Sequence, residues 1–551
     1  MNRETSITFN LLGKVNNTAA VPVLIAAIDS KYPEIREQAF HALLKRRCLS
    51  GQQVLLSRWK KMPEDWKQDL AKFPGAILGA LRNATVDAQG AESTIACDAI
   101  LHLREYDLLP TMVVAATEKN NPNQKLVART LVKLAESLRE DADAKKRDHK
   151  RQNLEIVRSK ILTTLEESVR RMDDHGVLEI LDAYLILTSR EHSLYRSMLK
   201  DPLQPIFVKV SNLLKKTRRN SVIDLLLSSL DDPRAAGAAL GIIASRRDVH
   251  FLGQLMDYLQ GSRSSIVQKN LQRIQKVVWT DDHLKVVDEL SDLQQAGAVQ
   301  FVMECRIDQE QKYNVVRHLL IKGKASGRLA AVEAMRDFKS AEANQLVAAA
   351  VRDEEQSVCA EALSQLRERG VAGGVKILLH YLDSPYLIVM DTARRALSEF
   401  NFPKYLSSFD AMSDEVRQSS GLIVKKIDLE TKQLLLEELD SGAHSRLMRA
   451  CCIIQTIDMQ QEFETPLINL IGHEDFVVRA LAAELLGDCD TQESIDSLRR
   501  AMLDRHVRVQ EAAEASLQKI AQTKHQKQTE SSDSKGQIET DSATHSAEQG
   551  A

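Results

Sequence analysis

Residues that could carry chemistry occur in four short clusters of this 551-residue chain. Three of them place acidic side chains beside a histidine, a combination that can bind a metal or transfer a proton. The fourth is a pair of adjacent cysteines. The clusters are Asp173-Asp174-His175, Asp281-Asp282-His283, His473-Glu474 and Cys451-Cys452.

None of the four clusters predicts a catalytic or metal site. A metal site needs several ligands to converge, and His473-Glu474 is the only His-Glu dipeptide in the chain. The aspartates of the first two clusters precede apolar helical runs, where Asp is a common N-cap. Adjacent helical side chains do not face each other, so we expect one of the two cysteines in the core.

Other catalytic signatures are missing from the sequence as well. No glycine-rich phosphate loop follows a strand pattern, and neither GxSxG nor HExxH occurs. Trp59, Trp66 and Trp279 are far apart in sequence, which does not favour a pocket that handles a nucleic-acid base. The sequence therefore predicts no catalytic residue, no cofactor and no metal, and a protein that is not an enzyme.

The composition predicts an all-α protein. Aromatic residues make up only 4%, and the chain has 22 glycines and 12 prolines, whereas strand-rich proteins need aromatic and turn residues. The 74 basic and 77 acidic side chains give a net charge of −3, so no global basic excess points to nucleic acid or a membrane. Seven scattered cysteines, no apolar leader and no membrane-length apolar run indicate a soluble cytoplasmic protein.

The stretch EDFVVRALAAELLGD, residues 474–488, shows the pattern of an amphipathic helix. Its apolar residues recur at the spacing of one helical stripe: Val478, Leu481, Ala482, Leu485 and Leu486. Gly487 follows at the position where a helix C-cap favours glycine.

The same pattern recurs, so we interpret residues 322–521 as seven repeats with a period near 30. Each repeat has a Leu-rich helix, a short turn with Asp or Ser, and an Ala-rich second helix. Two such helices cannot bury their apolar faces alone, so neighbouring pairs must stack. A hydrophobic residue followed by arginine opens the second helix in most repeats, and this slot is occupied by Arg328, Cys359, Met390, Arg417, Arg449, Arg479 and Arg508.

These repeats resemble the HEAT-repeat family, in particular its short bacterial form, the phycobilisome-lyase-like repeats. The resemblance is carried by Asp475, Val478, Arg479, Ala482, Ala483, Leu485, Leu486 and Gly487, and more loosely by Asp504, Val507 and Arg508. It implies an α-solenoid of roughly a dozen stacked antiparallel helix pairs in a bacterial protein. It also implies a structural ladder in which turn acids and arginines of successive repeats pair: Asp475, Arg479, Asp504 and Arg508. Cys359 and Met390 replace the arginine, so we expect the ladder to be broken there.

The chain divides into five predicted segments. They are an N-terminal HEAT-like block at 1–138, a charged helix end or hinge at 139–152, an irregular middle block at 153–321, the regular repeats at 322–521 and a polar tail at 522–551. The tail has too few apolar residues to offset its chain entropy, so we expect it to be disordered.

Basic pairs near helix C-termini of the middle block allow two interpretations. Cations at a helix C-terminus interact favourably with the helix dipole and with water. Alternatively, they form a basic ridge on one edge of the solenoid, facing an acidic protein or a nucleic acid. The residues are Arg170, Arg171, Lys215, Lys216, Arg218, Arg219, Arg246 and Arg247.

Three functions follow from these patterns, in order of preference. The first is a non-catalytic scaffold that binds another protein or a peptide along the solenoid, with no membrane partner. The second is a nucleic-acid-binding solenoid that uses the basic pairs. The third is implied by the resemblance alone: an enzyme, either lyase-like or similar to deoxyhypusine hydroxylase, an oxidoreductase of this family that binds iron through His-Glu pairs.

Overall fold

The computed structural model describes residues 3–86, 90–144, 150–261, 264–281 and 284–524. All regular secondary structure in these ranges is helical, which confirms the predicted all-α class. The chain divides into two compact units, Met1–Ala334 and Met335–Ala551, which we describe separately.

The first unit consists of α-helices joined mostly by short connections. Its α-helices are α1 (Arg3–Lys14), α2 (Ala20–Ala27), α3 (Pro33–Arg46), α4 (Leu49–Ser57), α5 (Glu64–Ala71), α6 (Leu78–Val86), α7 (Ala91–Leu103), α8 (Leu109–Thr117), α9 (Gln124–Ala144), α10 (Lys150–Arg170), α11 (Met172–His175), α12 (Leu178–Leu187), α13 (Ser193–Lys200), α14 (Pro205–Lys216), α15 (Asn220–Ser228), α16 (Gly237–Ser245), α17 (Val249–Gly261), α18 (Ser265–Leu271), α19 (Asp292–Glu304), α20 (Gln309–Lys322) and α21 (Ala325–Ala334). Short 3₁₀ helices lie at Trp59–Lys61, Tyr106–Leu108, Ser229–Asp231, Val278–Thr280 and Leu284–Glu289.

Helices of the first unit stack in two layers. One layer runs through α7, α9, α12, α15, α17, α19 and α21, each helix in contact with the next. The other layer includes α4, α6, α8 and α10, and further along α14 against α16. Contacts of this kind join each pair to its neighbours in sequence, which is how a solenoid builds one continuous core.

The second unit is a regular series of helix pairs. Its α-helices are α22 (Ala341–Ala350), α23 (Gln356–Gln365), α24 (Gly374–Tyr381), α25 (Leu387–Ala396), α26 (Phe402–Ser408), α27 (Asp414–Ile427), α28 (Thr431–Leu439), α29 (His444–Thr456), α30 (Glu464–Leu470), α31 (Phe476–Leu486), α32 (Gln492–Ala501) and α33 (507–524). Further 3₁₀ helices lie at Met335–Asp337, Phe409–Ala411 and Gln461–Phe463.

Pairs of the second unit stack through their second helices. The helices α23, α25, α27, α29 and α31 contact one another in order, and each also packs on the first helix of its own pair. One cluster of buried apolar side chains extends from Phe402 to Ile520. The predicted solenoid of stacked helix pairs is therefore confirmed.

The apolar stripe predicted for residues 474–488 lies on α31. Val478, Ala482, Leu485 and Leu486 are fully buried, and Leu481 is half-buried. Full burial of a leucine or valine side chain is worth about 1.5–3 kcal/mol, so this stripe holds α31 between its neighbours.

Gly487 is the C-cap residue of α31, as predicted. Its φ is −62°, a right-handed conformation, so backbone freedom is not the reason for a glycine here. A Cβ at this position would lie 2.8 Å from Ser516 Oγ and 3.0 Å from Ser516 Cβ. Glycine is needed because α33 approaches closely here, with the Ser516 hydroxyl donating to the carbonyl of Ala483 at 2.8 Å.

The five-segment division of the chain stays a prediction. Part of the charged segment 139–152 is helical, since α9 continues to Ala144 and α10 begins at Lys150. Residues 525–551, most of the predicted tail, lie outside the described residues.

Candidate interaction site between the repeat turns

Four of the turns between paired helices contain the same type of side-chain-to-backbone hydrogen bond. The first residue of the turn accepts the backbone N–H two residues further on, which closes the turn before the second helix begins. The acceptors are Asp353 (from Glu355, 2.9 Å), Ser384 (from Tyr386, 3.3 Å), His473 Nδ1 (from Asp475, 3.0 Å) and Asp504 (from His506, 2.8 Å). His473 thus acts as a turn residue, in agreement with the interpretation of His473-Glu474 as a turn.

Arg479 links two successive turns. It is the fourth residue of α31, and its Nη1 donates to the carbonyl oxygens of His473 at 2.8 Å and Glu474 at 2.9 Å. Its Nε and Nη2 donate to the two carboxylate oxygens of Asp504 in the next turn, at 2.8 and 2.9 Å. The side chains are only 5% and 15% exposed. The bonds from Arg479 lower the pKa of Asp504 below its ordinary value.

Asp475, which the resemblance placed in the ladder, has a different partner. Its Oδ1 accepts the N–H of Val477 at 2.8 Å and caps α31. Its Oδ2 lies 3.3 Å from Nδ1 of His444 in the preceding repeat. The preceding repeat thus offers a histidine, not an arginine, to this turn.

Two arginines, Arg508 and Arg449, lie outside the slot predicted for them. The burial of Val509, Ala513 and Ser516 matches that of α31 with a shift of 31 residues, which places Gln510 in the slot of Arg479. Gln510 Nε2 donates to the carbonyl of Asp504 at 2.6 Å, as Arg479 does to its own turn. Arg508 is exposed and bridges no turns among the described residues.

Arg449 is displaced by one position in the same way. The buried Leu447 and Cys451 precede the buried Val478 and Ala482 of α31 by 31 residues, so Met448 occupies the slot. Arg449 instead approaches Asp410, at 3.4 Å, and Glu438, at 3.7 Å. The two errors have one cause: the hydrophobic-arginine pair was aligned by residue type, while burial sets the register.

At Cys359 the arginine slot holds a short side chain. Cys359 is the fourth residue of α23, and its thiol donates to the carbonyl of Val351 at 3.0 Å. The hydroxyl of Tyr381 donates to the same carbonyl at 2.9 Å. Burial raises the pKa of the Cys359 thiol to about 11, so it is protonated at neutral pH.

A cavity of about 650 Å³ opens beside Cys359, between this turn and the next. We call it the open slot. Residues that bear on its chemistry are Asp353, Glu354, Cys359, Tyr381, Asp383 and Tyr386. Its charged lining consists of the three carboxylates and Arg352. Both oxygens of Asp383 accept from Nζ of Lys426 at 2.8 Å.

Large apolar side chains are exposed at the edge of the open slot. Tyr386, Leu387 and Ile388 are 51%, 68% and 48% exposed, at the turn and the first residues of α25. Single exposed apolar residues are ordinary, whereas larger exposed apolar patches mark interaction sites, so three exposed residues in succession single out this turn as a candidate. The missing arginine at Cys359 could be predicted from the sequence, whereas this exposed surface was not predicted. The signal was present in the stretch SPYLI that directly follows Asp383.

Two of the eight members of the predicted basic ridge are engaged by other groups of the protein: Arg246 is buried, and Arg219, 35% exposed, is ion-paired. Arg246 is 3% exposed and donates to the carbonyls of Leu214 and Thr217, at 2.9 and 2.8 Å, at the end of α14. Arg219 is bound by Glu136 and by Asp182, whose Oδ2 lies 3.0 Å from Nε.

The other six members of the ridge are exposed: Arg170, Arg171, Lys215, Lys216, Arg218 and Arg247. Arg170 lies in the last turn of α10, and Lys215 and Lys216 in the last turn of α14, as the helix-dipole interpretation requires.

The described residues of the acid–histidine clusters of the first unit lie in or beside short helices and contact other side chains of the fold. Asp173 and His175 lie inside the short helix α11, so the predicted N-cap is wrong, since α12 begins after Val177 without a side-chain cap. Asp173 binds Lys209 at 2.9 Å. Asp281 accepts from the amide of Gln311, and Asp282 and His283 lie outside the described residues.

The two adjacent cysteines have different surroundings. Cys451 is buried and Cys452 exposed, which confirms that one of the pair lies in the core.

The three tryptophans share no pocket in the described part of the chain. Trp59 donates to Asp98 at 2.8 Å, Trp66 stacks on Phe40, and Trp279 is buried. Among all the described residues, no group of three or more His, Cys, Asp or Glu side chains is placed to hold a metal ion, and no helix has the length and apolarity to cross a membrane.

A family model of HEAT repeats matches residues 432–528. This range contains α29, α31 and the Arg479–Asp504 bridge. That part of the chain is built from HEAT repeats, as the resemblance predicted, while the lyase-like type and the bacterial origin stay predictions. No curated protein matches the chain in sequence.

Solved structures with similar folds are distant in sequence. UNC-45 from Drosophila melanogaster shares 12% identity over 95% of this chain and 75% of its own, with a TM-score of 0.25. Kap121p bound to Pho4p shares 13% over 94% and 53%, with a TM-score of 0.25. Human deoxyhypusine hydroxylase in complex with glycerol shares 16% over 58% and 100%, with a TM-score of 0.16. At these identities and TM-scores, nothing about the function of this chain follows from the likeness.

Proposed function

We propose that this chain is a non-catalytic scaffold that binds another protein or a peptide along its stacked repeats, with the open slot as one contact. The observation that carries the proposal is the run of three exposed apolar residues, Tyr386, Leu387 and Ile388, beside a cavity of about 650 Å³. A groove with an apolar edge and a few polar groups is the usual form of a binding site for a side chain or ligand.

The placement of candidate catalytic groups supports a binding role over catalysis. Cys359 is a buried, protonated thiol, and the histidine clusters serve turns and helix ends. The free cysteines support the proposed cytoplasmic location, since disulfides are rare in reducing compartments.

The proposal is tested by photo-crosslinking from two matched positions. Tyr386 and Tyr32 are both tyrosines at the N-cap of a second helix, and they are 51% and 55% exposed. A photoreactive phenylalanine analogue replaces one or the other in the full chain, which is then irradiated in extract of its native cells. A partner should crosslink at position 386 and not at position 32.

Binding should also follow the exposed surface and not the polar tail. Leu387→Ser should weaken capture of the crosslinked partner at least fivefold, because it removes a 68% exposed apolar contact without touching the core. A chain that ends at residue 524 should retain the partner. Equal crosslinking at positions 32 and 386, or capture by residues 525–551 alone, contradicts the proposal.

A further inference from the structure

We propose that the open slot binds an arginine side chain of the partner, in the place that the chain's own Arg479 fills in a later repeat. This inference rests on the proposed scaffold function and gives it a chemical specificity. A later repeat of the same chain supplies the template for the ligand.

The template is the pair of turns around Arg479. There the guanidinium lies between the turn that begins at His473 and the turn that begins at Asp504. It donates to two backbone carbonyls on one side and to a carboxylate on the other. The space between two turns of this repeat therefore has the size and polarity that a guanidinium needs.

The turn at Asp353 matches the turn at His473 position by position. Each begins with a residue that accepts the N–H two residues on, and each is followed by a helix whose first residue is three positions further: Gln356 in α23 and Phe476 in α31. The carbonyls of Asp353 and Glu354 correspond to those that Arg479 binds. Cys359 stands where Arg479 stands, and it leaves the space open as a cavity.

Charge in the open slot favours a cation. The carboxylates of Asp353, Glu354 and Asp383 line the cavity, with Arg352 as the one lining cation. Lys426 pairs with Asp383, but the two side chains are 53% and 66% exposed. Exposed ion pairs of this kind contribute little to stability, so an entering guanidinium can share or replace Lys426 at small cost.

Aromatic side chains distinguish arginine from lysine as the occupant. Tyr381 and Tyr386 line the cavity together with the imidazole of His380. A guanidinium is planar, stacks on aromatic rings and donates in a fork to carbonyl and carboxylate oxygens, whereas an ammonium is a compact and strongly hydrated charge. The open slot offers rings, carbonyls and carboxylates together, the combination that suits arginine.

The first experiment compares three peptides. A fluorescein-labelled hexapeptide of alternating arginine and alanine is titrated with the full chain at physiological salt, and anisotropy reports binding. Replacing each arginine with citrulline keeps the shape and removes the charge, and should weaken binding at least tenfold. Replacing each with lysine keeps the charge and should weaken it at least threefold. Equal affinity of the arginine and citrulline peptides overturns the proposal.

The second experiment fills the slot from within. Cys359→Arg places the chain's own guanidinium in the cavity and should weaken binding of the arginine peptide at least tenfold. Cys452→Arg adds the same charge at an exposed cysteine of the same unit and should leave it within twofold. A folded Cys359→Arg chain, judged by its circular dichroism, that binds as tightly as the wild type contradicts the slot.

A third pair of variants leaves the interior untouched. Tyr386→Ala removes an exposed ring from the slot and should weaken binding of the peptide at least fivefold. Tyr32→Ala removes an equally exposed ring in the first unit and should have no effect. Equal effects of the two variants count against the slot, whether or not Cys359→Arg folds.

The outcomes also separate this inference from the scaffold proposal. A native partner that crosslinks at position 386 but binds the Cys359→Arg chain normally overturns the arginine slot and leaves the scaffold standing. A failure to crosslink any protein specifically at position 386 counts against the scaffold itself.

Discussion

Replacing Arg479 with alanine should destabilise the second unit, because four hydrogen bonds depend on one guanidinium. Two of them join Arg479 to Asp504 in the next turn, and two join it to the carbonyls of His473 and Glu474 in its own turn. Arg479→Ala therefore leaves a carboxylate that is only 15% exposed without its cation.

The size of the stability loss depends on how far water can replace the hydrogen bonds that Asp504 loses. Hydrogen bonds to charged groups contribute about 1.5–3 kcal/mol, and breaking a fully buried ion pair from one side costs about 3–5 kcal/mol. Asp504 keeps its bond from the N–H of His506, and its partial exposure admits some water. We therefore expect a loss of about 2–4 kcal/mol in the free energy of unfolding, below the fully buried limit.

Urea unfolding followed by circular dichroism measures this loss, with Arg508→Ala as the matched control. Arg508 is an arginine of the next helix, exposed and outside the slot, so its replacement should change stability by less than about 0.5 kcal/mol. Hydrogen exchange in Arg479→Ala should increase mainly in α31 and α33, because contacts in a solenoid are local. Equal losses in the two variants, or uniform exchange along the chain, would falsify the bridge as the source of stability.

The ion pair of Arg479 with Asp504 makes the stability loss of Arg479→Ala depend on pH. The pKa of Asp504 is lowered in the folded protein by the bonds from Arg479. A carboxyl group whose folded pKa is depressed contributes stability that is complete above its unfolded value, about 3.9, and that is lost as the pH falls through the folded value. The difference between wild type and Arg479→Ala should therefore be full at pH 7 and narrow below about pH 4. A difference that stays constant to pH 3 contradicts the ion pair.

Three further predictions concern other contacts. Gly487→Ala should cost about 1–3 kcal/mol by thermal unfolding because its Cβ meets Ser516, whereas Gly472→Ala, with only the carbonyl of Asn469 at 3.5 Å, should be near neutral. Arg246→Ala should lower the free energy of unfolding in urea by about 2–4 kcal/mol, because the carbonyls at the end of α14 lose their donor. Arg218→Ala, at an exposed arginine, should change it by less than about 0.5 kcal/mol, and similar losses in the two variants would show that Arg246 is a surface cation. A thiol reagent at pH 8 should label Cys452 and leave Cys451 unlabelled in the native chain, since burial raises the pKa of Cys451 to about 12. Mass spectrometry of the digested protein identifies the labelled site, and early labelling of Cys451 would contradict its burial.

Much of the fold could be predicted from local pattern alone. In α31, the spacing of Val478, Ala482 and Leu485 specifies the buried face, because an α-helix returns to the same side every 3.6 residues. The low aromatic content and the recurrence near 30 residues then leave stacked helix pairs as the way to bury such faces. The turn residue Asp504 could also be predicted, although its bond closes the turn and does not cap the helix.

Register and close approach could not be predicted in the same way. Arg508 looks like Arg479 in sequence, and only the burial of Val509 and Ala513 shows that Gln510 holds the slot. The C-cap position of Gly487 could be predicted, but the close approach of Ser516 that requires a glycine there could not. Both depend on how the next helix packs, a contact that no single repeat encodes.

The open slot is the reverse of the bridge at Arg479, and the comparison explains why a repeat can go without its arginine. An arginine in the slot requires an acceptor in the next turn, and at Cys359 the next turn begins with Ser384 where the Arg479 repeat has Asp504. The arginine and the aspartate at the first position of the next turn are both absent here, so neither is left unpaired, and the thiol and Tyr381 together satisfy the carbonyl of Val351. A repeat that lacked only one partner would carry a desolvated charge, whereas one that lacks both loses a bridge and gains a cavity. The cavity keeps the turn carbonyls that a guanidinium binds, which is why we expect it to be filled from outside.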